Sequence, residues 1–290
     1  MITIVFLSFH SEHHIRRLLK KLGGFYPIII IENSRNFNLK NELENKYKNL
    51  RVIIPRENLG YSKGLNLGFK LSKTNFVFIN PADIEITKKT LLNLDQLIKK
   101  YNDFAFLGLN YYEEGHYKSY NIYKNSINNS EDKNINDYKK FGLLEVDDID
   151  CTILINKKKV SKLFDENIFI YFEVNDLAYR YKKKGEKILI SKNIKFRHYG
   201  QQSHNKKFDF EAKLSRSWHY NWSKFYFFKK HWGYFFALKK TLPNLKRSII
   251  KVIICLIKFD KTFLKIHFAE LSGLLNSILN RKSSYRPYEK

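Results

Sequence analysis

The sequence predicts an α/β fold: a mostly parallel sheet with helices on both faces, followed by a basic helical appendage. Three observations carry this. Over the first hundred residues, short β-branched runs alternate with helical stretches. The runs are continuously apolar, as strands covered on both faces are. Beyond residue 212 the pattern turns helical, aromatic and basic.

The elements follow in order. Runs at 2–7, 28–31 (Ile28-Ile29-Ile30-Ile31), 51–54 and 76–79 read as strands, and 12–22, 38–48, 62–73 and 87–100 as helices. Residues 111–140 are Tyr- and Asn-rich without apolar period, which predicts a long loop, disordered or acting as a lid. Order returns at Leu143–Asp150, Thr152–Ile155 and Phe164–Glu173. A helix over 174–184 with Gly185 as its C-cap follows, then a strand at 187–196. The expected division is 1–212 for the sheet domain and 213–290 for the appendage.

Composition narrows the class. The hydrophobic share of 43% excludes a disordered chain. Cys151 and Cys255 lie far apart with no CxxC, which excludes a disulfide framework or a cysteine zinc site and fits a reducing compartment. No uncharged apolar run reaches ~18 residues, and the opening Ile2–Leu7 run lacks a basic n-region. The expected location is the cytoplasm or a cytoplasmic membrane surface. The 53 Lys+Arg against 28 Asp+Glu give a net charge of +25, and residues 213–290 hold 17 basic against 3 acidic residues. Nucleic acid and an anionic membrane both attract such a surface; a merely solvated basic face is the plain alternative.

Ligands of open parallel sheets bind at the strands' C-terminal ends. Glu32-Asn33-Ser34 follows the four isoleucines; its carboxylate could meet a nucleotide base or ribose, or belong to a turn. In Asn58-Leu59-Gly60-Tyr61-Ser62-Lys63-Gly64-Leu65-Asn66-Leu67-Gly68, the glycines form one helical stripe. That stripe allows close approach of a strand or of a ligand, and a helix start at 62–64 would aim N–H groups at a phosphate beside Lys63. Asn80-Pro81-Ala82-Asp83 ends the fourth strand, where an Asp can hold a divalent cation or simply make a turn. Glu173 and Asp176 stand three apart at a helix start, as a catalytic pair or as dipole complements. His198 closes the last strand.

Together these pieces resemble glycosyltransferase family 2, the inverting GT-A enzymes, and within it a rhamnosyltransferase-like bacterial branch. The order over residues 1–205 matches: an acidic-Asn-Ser strand end, NxGxxxGxNxG, an NPD-like strand end, FDExxFxYxE…D, and a strand ending in His. A second match is Arg216-Ser217-Trp218-His219-Tyr220-Asn221-Trp222-Ser223-Lys224-Phe225-Tyr226, ending at Lys229-Lys230-His231-Trp232-Gly233. The resemblance implies a nucleotide-sugar donor contacted by Glu32, Asn58, Gly60, Lys63, Gly64 and Asn66, and a divalent cation (Mn or Mg) at Asp83 and His198. It also implies a lipid-linked or oligosaccharide acceptor of O-antigen or capsule type, deprotonated by Glu173 with Asp176 as orienter or substitute. Two positions depart from the family pattern. Asn-Pro-Ala-Asp has one residue more than Asn-Pro-Asp, and Val174 stands where a second acid is usual.

Residues 243–268 are expected to form one helix. Arg247, Lys251, Lys258, Lys261 and Lys265 would fall within about 80° of one another, with Ile249, Val252, Ile253, Leu256, Ile257, Phe259 and Phe263 over the rest and Asp260 marking a break. Such a helix suits an anionic membrane interface, with Trp218, Trp222, Tyr226 and Trp232 at the same boundary. The competing readings are a donor-binding but inactive homologue, a nucleotidyltransferase, and a basic nucleic-acid-binding protein. The last lacks any RRM, KH or zinc-finger pattern.

Overall fold

The computed structural model describes residues 1–113, 116–118, 141–198 and 209–286. The chain forms two compact units: Met1–Leu59, Lys63–Phe164 and Val174–His204; and Gly60–Ser62, Asp165–Glu173 and Asn205–Lys290.

In the first unit, strands β1 (Ile2–Ser8), β2 (Ile28–Glu32), β3 (Leu50–Ile53) and β4 (Phe76–Pro81) alternate with helices α1 (Glu12–Leu22), α2 (Phe37–Lys46) and α3 (Gly60–Leu71). Then come β5 (Ile84–Glu85), α4 (Lys88–Lys100), β6 (Phe106–Glu113), β7 (His116–Lys118), β8 (Leu143–Glu145), β9 (Ile153–Asn156), α5 (Glu173–Lys183) and β10 (Ile188–His198). The sheet order is β3-β2-β1-β4-β9-β6-β10-β5, with β7 on β6 and β8 on β10. The first four strands are parallel, as the strand–helix alternation requires. β9 enters antiparallel between β4 and β6, so the far half is mixed.

Period-two packing explains why β1 is largely apolar on both of its faces. Ile2, Ile4 and Phe6 join one core with α1 and α4 through Ile15, Leu18, Leu91 and Leu94. Val5 and Leu7 face the other way, toward α3: a Cβ on Gly68 would lie 2.4 Å from Val5 Cγ1, and one on Gly64 2.5 Å from Leu7 Cδ1. The strand is therefore covered on both faces. Helix α4 begins with a capping box between Thr87 and Thr90. Gly185, at φ 79, ends α5 in a Schellman arrangement, Gly185 N–H to Lys182 O and Glu186 N–H to Tyr181 O.

The stretch at 111–140 is not all loop. Its start extends β6 and pairs antiparallel with β7; the remainder, and with it the expected lid, lies outside the described residues.

The second unit contains α6 (Asp209–Trp232), α7 (Tyr234–Ile257) and α8 (Lys261–Ile278). Gly233, at φ 90, separates α6 from α7. The single helix expected over 243–268 is corrected. Phe259 turns left-handed at φ 54, and Asp260 caps a new helix by accepting from Phe263 N–H at 3.1 Å. Asp260 marks the break, and Lys261 and Lys265 belong to a different helix from Arg247 and Lys251. Trp218 and Trp222 are also corrected: both are buried, with planes 9° apart, in a core with Ala269, so they are not an interfacial belt.

Candidate active site

The strand ends of the parallel half carry the first group of residues. Glu32 ends β2, fully buried, with Ser8 opposite it in the parallel register. Its Oε1 accepts from the Ser34 N–H at 2.8 Å and from the Ser34 hydroxyl. Oε2 is buried without a hydrogen-bond partner among the described residues. Burial pushes this carboxyl above its ordinary range, against the opposing pull of the Ser34 and Ser8 hydroxyls. The folded state therefore binds this proton more tightly. The group's stability contribution is greatest at low pH and is lost as pH rises through the folded value. Asn33 ties this end to its neighbours, its N–H donating to Ser8 O at 2.8 Å and its Oδ1 accepting from Leu59 N–H at 3.4 Å.

Several expected donor contacts have structural work of their own. The observed α3 begins at Gly60, earlier than predicted. The Tyr61 N–H at its start already donates to Phe169 O at 2.7 Å. Gly60 has φ 71, and a Cβ there would lie 2.4 Å from the Phe169 ring. Gly64 is consumed by its packing on Leu7. Asn66 clamps Phe164 through both amide atoms, donating to its carbonyl at 3.0 Å and accepting from its N–H at 2.9 Å. Helix–sheet and loop packing thus account for Gly60, Gly64 and Asn66. Asn58 is half-buried and Lys63 exposed.

Asp83 sits in the tight turn between β4 and β5, nearly buried. Asn80 braces that turn by donating to Pro81 O at 2.8 Å and Ile84 O at 2.9 Å. The extra residue in Asn-Pro-Ala-Asp is absorbed here: Pro81 still belongs to the strand and Ala82-Asp83 form the turn. β5 pairs antiparallel with β10 so that His198 stands opposite Ile84, one residue from Asp83. The backbone thus brings together two positions far apart in sequence; the His198 side chain lies outside what the structure describes. No cluster of three or more metal-ligating side chains occurs among the described residues. Asp83 and the buried Asn80 Oδ1, which has no hydrogen-bond partner among those residues, are oxygen donors of the kind hard divalent cations take.

The second group surrounds the start of α5. Glu173 is buried, and Val174 behind it is buried too. Tyr171 and Phe172 precede it with φ 68 and φ 64, two bulky residues in the left-handed region. Such residues cost roughly 1–3 kcal/mol each and persist only where the surroundings hold them. Burial, reinforced by Glu173 and opposed by Arg216, pushes the Tyr171 hydroxyl up to about 12. Asp176 is fully buried and accepts from Arg180 Nε at 2.8 Å, while the same guanidinium donates to Lys162 O and Leu163 O. Through Arg180, Asp176 ties α5 to the Lys162–Leu163 backbone.

Sequence reading missed Asp148. Burial raises its carboxyl to about 6, seconded by the charges of Asp150 and Asp147 and opposed by bonds from Ile149 N–H and the Asn175 amide. This group's contribution to stability falls as pH rises from 3.8 to about 6. The only sequence signal was the acidic run Asp147-Asp148-Ile149-Asp150.

A parallel half-sheet with acids at its strand ends, continued by a mixed half, is the GT-A arrangement of nucleotide-sugar transferases. The model of the family described as Glycosyl transferase family 2 matches residues 3–164, more than half of the chain, and the chain belongs to that family: it is a glycosyltransferase. Solved structures agree on the fold. The mannosyltransferase PcManGT from Pyrobaculum calidifontis, in complex with GDP-Man and Mn2+, gives a TM-score of 0.54 at 11% identity over 96% of this chain and 87% of that one. S. aureus TarS 1-349 gives 0.51 at 13% over 98% and 93%. GalNAc-T7 with UDP, GalNAc and Mn2+ gives 0.50 at 12% over 76% of this chain, which spans 51% of that structure. No curated protein matches the chain.

Proposed function

We propose that the chain transfers one sugar, with inversion, from a nucleotide-diphosphate donor to a hydroxyl of a lipid-linked or surface-polysaccharide precursor, as a rhamnosyltransferase-like member of its family working on an anionic membrane face of the cytoplasm. The observation that carries donor recognition is Glu32: a fully buried carboxylate at the C-terminal end of a parallel strand, one oxygen held by Ser34 and the other, on the side chain that faces Ser8 in the register, without a hydrogen-bond partner among the described residues. An N–H of a nucleobase or a ribose hydroxyl would satisfy that oxygen, and an orphaned buried acceptor otherwise destabilises the fold.

Asp83 and, across the β5–β10 pairing, His198 are the residues that would hold Mn2+ or Mg2+, which when bound stabilises charge on the leaving diphosphate. Glu173 accepts the acceptor hydroxyl's proton, with no second acid to share the task because Val174 is apolar.

Thermal unfolding with Mn2+ against UDP, dTDP, GDP and CMP sugars tests the reading. One donor at 100 times its Kd should add about 2.7 kcal/mol. Glu32→Gln should abolish that response. It should also raise the ligand-free Tm by roughly 3 °C, since it removes a buried charge worth about 1 kcal/mol. A folded protein that responds to no donor overturns the reading.

Membrane attachment draws support from the turn between α7 and α8. Ile253, Ile254, Leu256 and Ile257 are exposed along one side of α7, and Ile257 and Phe259 at the turn are 72% and 87% exposed. Lys258, Lys261 and Lys265 flank them in the open. Each such side chain gains about 1.5–3 kcal/mol on leaving water, and each lysine about 1 kcal/mol near anionic lipid. Among the described residues no helix is long and apolar enough to cross a membrane, so attachment would be peripheral. The protein should sediment with phosphatidylglycerol-containing vesicles at low salt and not with pure phosphatidylcholine. Ile257→Glu with Phe259→Glu should release it. No sedimentation of the unaltered chain overturns attachment.

A further inference from the structure

We infer that α6 and the segment 281–286 form a clamp on the loop Phe169–Glu173, making His219, Ser223 and Arg286 positioning residues for sugar transfer. The positioning role rests on the reading of Glu173 as the base; the clamp itself does not.

The argument begins with the backbone. Two consecutive non-glycine residues in the left-handed region directly before Glu173 would relax in a free loop. Something therefore over-determines them, and the contacts within the second unit identify it. The Phe169 ring is stacked on His219 at 4.5 Å, with planes 19° apart, and the Arg286 guanidinium lies 4.2 Å from the same ring. The Phe169 carbonyl accepts from the Tyr61 N–H, and the Ile170 carbonyl accepts from the Ser223 hydroxyl at 2.9 Å. Beyond them, Tyr171 and Phe172 both rest on the Tyr220 ring. Every residue from 169 to 172 is thus held, and helix α5 starts at the next one. With the peptide planes before Glu173 fixed, so is the direction in which its Cα–Cβ bond leaves the loop.

The clamp is itself built by the segment 281–286. His219 Nε2 donates to the Tyr285 carbonyl at 2.9 Å, which fixes the tautomer, so Nδ1 accepts from the Ser283 hydroxyl at 3.1 Å. Trp222 Nε1 donates to the Arg281 carbonyl at 3.0 Å. His219 is neutral in this arrangement because both nitrogens are committed in a fully buried site, and its pKa falls to about 3 mainly through that burial. The stack on Phe169 therefore does not change over the physiological pH range.

The test uses the full chain with Ser223→Ala, Arg286→Ala, Arg286→Lys and Glu173→Gln. Two measurements are made well below Tm: amide hydrogen exchange over 169–173, and nucleoside diphosphate release from UDP, dTDP and GDP sugars with Mn2+. The expected result for Ser223→Ala and Arg286→Ala is exchange at least about tenfold faster over 169–173 alone, with kcat about tenfold lower and donor KM unchanged. Arg286→Lys, which keeps a cation over the ring, should recover most of both. Unchanged exchange in both alanine variants overturns the clamp. Faster exchange with full kcat, while Glu173→Gln is inactive, overturns the positioning role. Full activity of Glu173→Gln overturns the reading of Glu173 and with it that role, leaving the clamp to be judged by exchange.

Discussion

Glu173→Gln is expected to lower turnover by about 10²- to 10⁴-fold while leaving the donor-dependent rise in Tm intact. A positioned general base contributes a factor of that order, and Gln keeps the shape of the side chain while losing the proton acceptor. Val174 has no titratable group, and Asp176 is pinned by Arg180. The separation of effects is the informative part: an amide should not disturb Glu32 or Asp83, so donor binding and chemistry come apart. Rates with the donor that stabilises the protein, measured alongside its thermal shift, check this. Retained turnover would mean that another group takes the proton, and Asp148, with its carboxyl near 6 and its bond from Asn175, would be the next residue to replace.

Gly273→Val should unfold the second unit at markedly lower denaturant. A Cβ at this position would lie 2.2 Å from the Trp218 carbonyl oxygen and 2.9 Å from its carbon. These are backbone atoms of α6, so no side chain can swing aside, and the two helices must separate around the buried Trp218 and Trp222. Overpacking of this kind costs about 3 kcal/mol. With a urea m-value of about 2 kcal/mol/M, the midpoint moves down by roughly 1.5 M. The chain supplies its own probe. All three tryptophans, Trp218, Trp222 and Trp232, lie in α6, so tryptophan fluorescence follows the second unit alone. An unchanged midpoint would show that α6 and α8 do not depend on this close crossing.

How much was legible beforehand varied with the range of the interaction involved. The first four strands and the helices between them were read within a few residues, because apolar period and capping are local properties. The positions of Glu32 at, and Asp83 just past, strand ends were legible from the apolar runs before them, since strand ends follow from where such runs stop. The glycine stripe was ambiguous for a physical reason. Gly64 and Gly68 serve a close approach, and only the neighbouring strand reveals that Leu7 and Val5 make it. Asn66 looked free for a donor because its partner, Phe164, is 98 residues away. The basic stripe over 243–268 was drawn on one helix despite the break read at Asp260; a left-handed Phe259 ends that helix, and tertiary packing buries Trp218 and Trp222.

The sequence by itself determined the alternation that makes a parallel half-sheet, the order of its strand-end acids, and the basic, aromatic character of the last eighty residues or so. All of these rest on periods and neighbours within a turn or a strand. Only the tertiary structure decided that β9 inserts antiparallel, that the backbone of His198 pairs opposite Ile84, and that Asp176 is paired with Arg180. It also decided that the residues leading to Glu173 are strained and held by α6. These facts depend on contacts between segments distant in the chain, and a local pattern carries no information about which distant group will satisfy a buried carbonyl, a carboxylate or a ring.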